Sequence, residues 1–212
     1  NGVISVDLNL DNLAWAELDN EGHRIRGGMI RFNIIGKTSH QIDDILGRAV
    51  AVLIGICRDT KKPLVMEDID LKKKKAGLAY GKKRANHGTS MFAYRKLTAL
   101  INGRAFRYGV GVILVNPAYT SLIGKLKYII RLRCAIHIAA AYVIGRRGMG
   151  FKEKLPAIYR KLIPPEKVRS HHWKQFAHLY SIGKDIPAKK LTTRYQTFET
   201  RKDLKALVKQ YA

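Results

Sequence analysis

The 212-residue sequence predicts an α/β fold, a mixed five-stranded sheet flanked by helices and followed by a basic C-terminal extension. Three observations carry that prediction. The N-terminal segment alternates with the period of two that a strand requires; later segments place apolar residues at helical spacing; and short apolar runs suited to strands follow each of the first two helices. With 46% hydrophobic residues the chain has material for a real core, and its length suits one large domain or a domain with an appendage.

Residues 3–9 form the first predicted strand, with Ile4, Val6 and Leu8 on one face and Val3, Ser5, Asp7 and Asn9 on the other. Asp11 and Asn12 turn the chain into a second strand, 13–18. Asp19, Asn20, Glu21 and Gly22 are a hairpin signal leading to a third strand over 23–33. Thr38, Ser39, His40 and Gln41 read as a capping box, and Ile42, Ile45, Leu46, Ala49, Val52, Leu53 and Ile56 then repeat as a crossover helix. A strand over 63–67 follows that helix and is therefore expected to run parallel to the first. Residues 70–90 read as an exposed basic loop. A helix is predicted over 90–108, with Phe92, Leu97, Leu100, Ile101 and Phe106 available for burial, and a fifth strand over 110–115 ends at Asn116 and Pro117. After Thr120 and Ser121 comes a basic segment, then a helix over 134–147 that stops at Gly148. The core is accordingly assigned to residues 1–150 and the extension to 151–212. The extension holds Pro156, Pro164, Pro165 and Pro187 among mixed helical pieces, and its last stretch, 194–212, is a candidate arm or docking helix.

The charge balance points to a polyanionic partner: 40 Lys and Arg stand against 16 Asp and Glu, a net charge of +24. No acid occurs between Asp70 and Glu153, an interval that includes Lys72, Lys73, Lys74, Lys75, Lys82, Lys83, Arg84, Lys125, Lys127, Arg146 and Arg147. A solvated basic face would account for any one cluster. Sustained along a folded segment interleaved with Tyr80, Phe92, Tyr94, Phe106, Tyr108, Tyr119 and Tyr128, the tract favours nucleic acid, and these cations are assigned to its phosphates. No apolar stretch is long enough to cross a bilayer and no secretory pattern opens the chain, so a cytoplasmic, nucleoid-associated prokaryotic protein is expected. Because the chain begins with Asn1, a piece of a longer polypeptide is one expectation. Cys57 and Cys134 have no partner at zinc-finger spacing, so neither a disulfide nor a zinc site is expected.

A three-stranded meander, a helix, a parallel strand, a helix and another strand is the order of the RNase H-like fold, in which the first and fourth strands lie side by side. That order would bring Asp7, at the end of strand one, next to Glu67, at the end of strand four. Two converging carboxylates repel unless a cation joins them, and hard divalent ions take such oxygen ligands. Either acid alone could be a strand-end or loop charge; together they suggest a site for Mg²⁺ or Mn²⁺, as a two-metal centre for phosphodiester hydrolysis.

Three segments, Val-Ile-Ser-Val-Asp7-Leu-Asn, Leu64-Val-Met-Glu67-Asp-Ile-Asp70 and Val115-Asn-Pro-Ala-Tyr-Thr-Ser121, resemble the RuvC-like nuclease core of TnpB proteins, transposon-associated RNA-guided nucleases related to type V CRISPR effectors. The resemblance covers roughly residues 3–150. It implies a metal-dependent DNA endonuclease with Asp7 and Glu67 as ligands, Asn116, Tyr119, Thr120 and Ser121 as a loop near the bound strand, and DNA and a guide RNA as partners. Two departures stand out. The zinc ribbon that usually follows the Tyr-Thr-Ser loop is missing, and where the family has a third acid in its last core helix this chain has His137. A lone His beside Ala140, Ala141 and Ile144 is ordinarily a boundary residue. Here the small residues would let the helix approach the sheet, making His137 a candidate third ligand or general base, better suited to Mn²⁺ than to Mg²⁺. The alternatives are a catalytically silent RNA-guided DNA-binding or repressor module, and a RuvC-type Holliday-junction resolvase working without RNA.

Overall fold

In the computed structural model of the chain, the structure describes residues 2–68, 84–160, 163–164 and 171–184. Strands β1 (Val3–Leu8), β2 (Asn12–Leu18) and β3 (Arg24–Arg31) form the meander, helix α1 (Ser39–Thr60) crosses over, and β4 (Leu64–Glu67) returns to the sheet. Helix α2 (Arg84–Arg107), β5 (Val112–Val115), α3 (Thr120–Lys127), a single turn α4 (Ile129–Leu132), α5 (Ile136–Gly148), α6 (Ala157–Arg160) and α7 (His172–Lys184) follow in order.

The sheet order is β3-β2-β1-β4-β5, with β1 antiparallel to β2 and parallel to β4, and β4 parallel to β5. This is the RNase H-like order predicted from the sequence. All six residues of β1 are buried, as a central strand covered on both faces requires. One face carries Ile4, Val6, Leu8, Leu64 and Met66 against α1 and α2; the other carries Val3, Val65 and Val115 against α3 and α5. Leu155, Tyr159, Ile163, Phe176 and Leu179 pack into this second core.

Local chemistry explains the boundaries. Thr38 caps α1 as a capping box: the Gln41 N–H donates to its hydroxyl, and its own N–H donates to Gln41 Oε1 at 3.0 Å. The β2–β3 turn is held by Asp19 Oδ1, which accepts from the N–H groups of Glu21 and His23, while Gly22 takes the left-handed conformation at φ 75°.

Three expectations are corrected. Helix α2 begins at Arg84, so 84–90 are helical rather than loop; residues 69–83, the rest of the expected basic loop, lie outside the described residues. The buried stripe of α2 is Ala93, Leu97, Ile101 and Ala105, each four residues from the next. Phe92 and Phe106 sit one position off it, turned about 100° to either side, and are 43% and 90% exposed rather than buried. The basic segment after Thr120 is helix α3, because Leu122, Ile123 and Leu126 pack inward and Gly124 lies directly on α5: a Cβ there would be 2.9 Å from the Ala139 carbonyl carbon. The candidate arm, 194–212, lies outside the described residues. Among the described residues no helix is long and apolar enough to cross a membrane.

Candidate metal centre

The pairing of β1 with β4 matches Val6 to Met66, so the next residues, Asp7 and Glu67, stand side by side at the carboxyl ends of the two central strands. Alternation turns both toward the face that carries Val3 and Val65, the face under α5. Helix α5 reaches this face through glycines. A Cβ at Gly145 would lie 2.7 Å from Ser5 Oγ and 2.8 Å from Leu18 Cδ1, and one at Gly148 would lie 2.5 Å from a Val65 methyl. Real side chains at those positions would push the helix off the sheet. The close approach brings His137, in the first turn of α5, to Asp7: Nδ1 is 3.2 Å from Asp7 Oδ2.

Asn9 was not singled out from the sequence, though its place two residues after Asp7 is a strand-face signal. Its Nδ2 donates to the same Asp7 Oδ2 at 3.1 Å and lies 3.3 Å from both the Asp7 carbonyl and Asn12 Oδ1. Asp7 is 8% exposed, so its carboxylate is largely shielded from water.

Glu67 is engaged from the opposite flank. The Asn116 side chain closes a turn by accepting from the Ala118 N–H at 2.8 Å, Tyr119 takes a left-handed φ of 62°, and Thr120 opens α3 beneath Glu67. The Thr120 hydroxyl donates to Glu67 Oε1 at 2.5 Å. Arg147 donates to the Asn116 carbonyl and lays its guanidinium over Trp173, 5.4 Å from the ring centroid. Burial lowers the Arg147 pKa, and the fields of Glu67 and Glu153 oppose that fall.

Tyr94, on α2, reports the charge that collects here. Burial pushes its phenol up, and the fields of Asp7, Glu67 and Asp11 push it further. Carboxylate oxygens at neighbouring strand ends are the hard ligands a divalent cation takes, and the added imidazole of His137 shifts the preference toward Mn²⁺. In this arrangement Asp7 and His137 meet, while Glu67 is drawn toward Thr120. Among the described residues the three-ligand cluster with atoms within 4.8 Å of one another is instead Asp19, Glu21 and His23 in the β2–β3 turn. There Asp19 is already occupied by backbone N–H groups, which lower its pKa.

The cations assigned to nucleic acid divide into groups. Lys72, Lys73, Lys74, Lys75, Lys82 and Lys83 lie outside the described residues, and Arg84 opens α2. Ser121 is exposed and Lys125 half-buried on α3. Lys127 and Arg146 both point at Glu153, which is 4% exposed, and their side chains are only 18% exposed. The Tyr128 hydroxyl joins them, donating to Glu153 at 2.8 Å. Burial alone would raise the Glu153 pKa, but the bonds from Lys127, Arg146 and Tyr128 hold it below the usual carboxylate value. These two cations neutralise a buried acid. Both cysteines are thiols; burial pushes Cys57 up to about 12 and raises Cys134.

Fold and site together define an RNase H-like α/β domain with an Asp–Glu pair at the ends of its two central strands. No protein-family model and no curated protein matches the chain. Among solved structures it is similar to RuvC of Thermus thermophilus, at 14% identity and a TM-score of 0.49, covering 70% of this chain and 96% of that one. It is also similar to T. thermophilus RuvC in complex with a Holliday junction substrate, at 15% identity and a TM-score of 0.48, covering 68% of this chain and 89% of that one.

Proposed function

We propose that the chain is a divalent-metal-dependent DNA endonuclease, RNA-guided in the manner of the TnpB nucleases that its three motifs resemble. The observation that carries the proposal is the adjacent placement of Asp7 and Glu67 at the ends of neighbouring parallel strands, under a helix that brings an imidazole nitrogen 3.2 Å from Asp7. Two buried or half-buried carboxylates so placed are costly unless a cation neutralises them.

Asp7, Glu67 and His137 would hold Mg²⁺ or Mn²⁺; when bound, the ions neutralise charge on the phosphoryl oxygens and acidify the attacking water. The residues of the chain do the rest. Asn9 and His137 both contact Asp7 Oδ2, and α5, packed through Gly145 and Gly148, keeps His137 at that distance. The basic tract supplies the sequence-blind attraction for nucleic acid, and a guide would supply the sequence.

The test is cleavage by the purified full chain, with its copurified RNA, of matched duplex DNA in Mg²⁺ or Mn²⁺. Asp7→Ala is expected to lower cleavage more than about a hundredfold while DNA binding stays near wild type. Intact DNA under both metals, with tight and salt-sensitive binding, would establish the second reading, a catalytically silent RNA-guided binding module. The specific observation behind that reading is His137 itself, an imidazole bonded to the acid where a third carboxylate would otherwise bind metal. Cleavage of branched DNA by a preparation holding no RNA would point to a junction resolvase.

A further inference from the structure

Thr120 occupies the first position of α3, one residue past the N-cap. The N-cap is Tyr119, which makes no side-chain cap bond, and the Thr120 hydroxyl reaches an acid 53 positions earlier in the chain. Oγ1 lies 2.5 Å from Glu67 Oε1 and 3.2 Å from the Pro117 carbonyl. A hydroxyl has one proton, and the nearer, charged acceptor is the stronger. Thr120 is 3% exposed, so water does not compete for that proton.

The surrounding turn is built around this contact. Tyr119 holds a left-handed φ of 62°, a conformation unfavourable for a residue with a Cβ. The turn is held there by the Asn116 side chain on the Ala118 N–H, by Arg147 on the Asn116 carbonyl, and by Tyr119 packing edge-on to Tyr180 with ring centroids 6.0 Å apart. All three contacts hold the backbone that presents one buried hydroxyl to one carboxylate.

We propose that Thr120 is a positioning residue that sets the orientation of Glu67 as a cation ligand. This rests on the metal-site reading given above. Outer partners of this kind change metal affinity by about 10- to 100-fold when removed. Serine keeps the hydroxyl and valine keeps the shape without it, so the two substitutions separate the hydrogen bond from packing.

The experiment is titration of the full chain with Mn²⁺ alone, followed by the loss of the free-ion electron paramagnetic resonance signal, for wild type, Asp7→Ala, Thr120→Ser and Thr120→Val, with melting recorded for each. Expected are weakening of about tenfold for Thr120→Val at near-unchanged melting, affinity near wild type for Thr120→Ser, and loss of the site in Asp7→Ala. Should valine unfold the chain, Thr120→Ala carries the same comparison. Wild-type affinity in Thr120→Val (or in Thr120→Ala), with the site lost in Asp7→Ala, overturns the positioning role and leaves the metal site standing. Binding that Asp7→Ala does not alter, or no binding by wild type, overturns the metal site and this inference with it.

Discussion

Asp7 Oδ2 accepts from Asn9 and stands 3.2 Å from His137 Nδ1, a nitrogen contact that a carboxylate at position 137 would replace with oxygen. Replacing His137 by Asp substitutes a hard oxygen for the imidazole, and Mg²⁺, which favours oxygen, should gain most. The ratio of cleavage rate in Mg²⁺ to that in Mn²⁺ is expected to rise by about tenfold in His137→Asp, measured on one DNA substrate at fixed metal concentration. The Asp–Glu pair was legible from the sequence because strand periodicity and element order together place both residues at neighbouring strand ends. The bond from Thr120 to Glu67 was not, since no local pattern joins residues 53 positions apart. Glu153 was visible only as the acid that ends the acid-free tract. Its structural role depends on Lys127, Arg146 and Tyr128 converging from two helices and the turn between α3 and α4. Because its pKa is lowered on folding, Glu153 contributes stability that is present above its unfolded value, near 4.5, and lost as pH falls through the lower folded one. Glu153→Gln should cost about 3 kcal/mol at neutral pH and flatten the decline of melting temperature below pH 5, read by calorimetry across pH.

Helix α5 is the element on which the site depends. Its apolar residues were readable as helical, and Ala140 and Ala141 already suggested close packing. Of the glycines that make the closest approach, Gly148 reads from sequence as a helix stop, and nothing in the sequence marks Gly145. Gly145→Ala puts a methyl against Ser5 and Leu18 in a filled core. Overpacking of this kind costs about 1–3 kcal/mol, and the helix can relieve it by moving away from β1, which also draws His137 from Asp7. The expected outcome is a lower melting temperature with Mn²⁺ binding weakened as well, whereas Val52→Ala on the exposed side of α1 should change neither. In α2 the apolar content was legible but its face was not: large aromatics at 92 and 106 compete with the small Ala93 and Ala105, and close contact with α1 selects the small ones.

Over the whole molecule, the sheet order and the two cores follow from hydrophobic periodicity, which is why the fold could be read before the structure. The helices beyond residue 150 were harder to place because their burial depends on contacts with α3 and the second core, as at Phe176 and Leu179. The net charge of +24 acts at this scale through counterion release. Replacing Lys72, Lys73, Lys74 and Lys75 with alanine is expected to reduce the slope of log binding constant against log salt by about 3 to 4, with little change in sequence preference. Lys127→Ala should instead lower stability and leave that slope nearly unchanged, because its charge is committed to Glu153.

If the carboxylates ending β1 and β4 serve one cation-binding centre, the anomalous difference map of a crystal soaked in Mn²⁺ will show a peak about 2.2 Å from an Asp7 oxygen, on the side facing Glu67 and His137. A map with no peak there, or with its only peak at Asp19, Glu21 and His23, would contradict a shared centre.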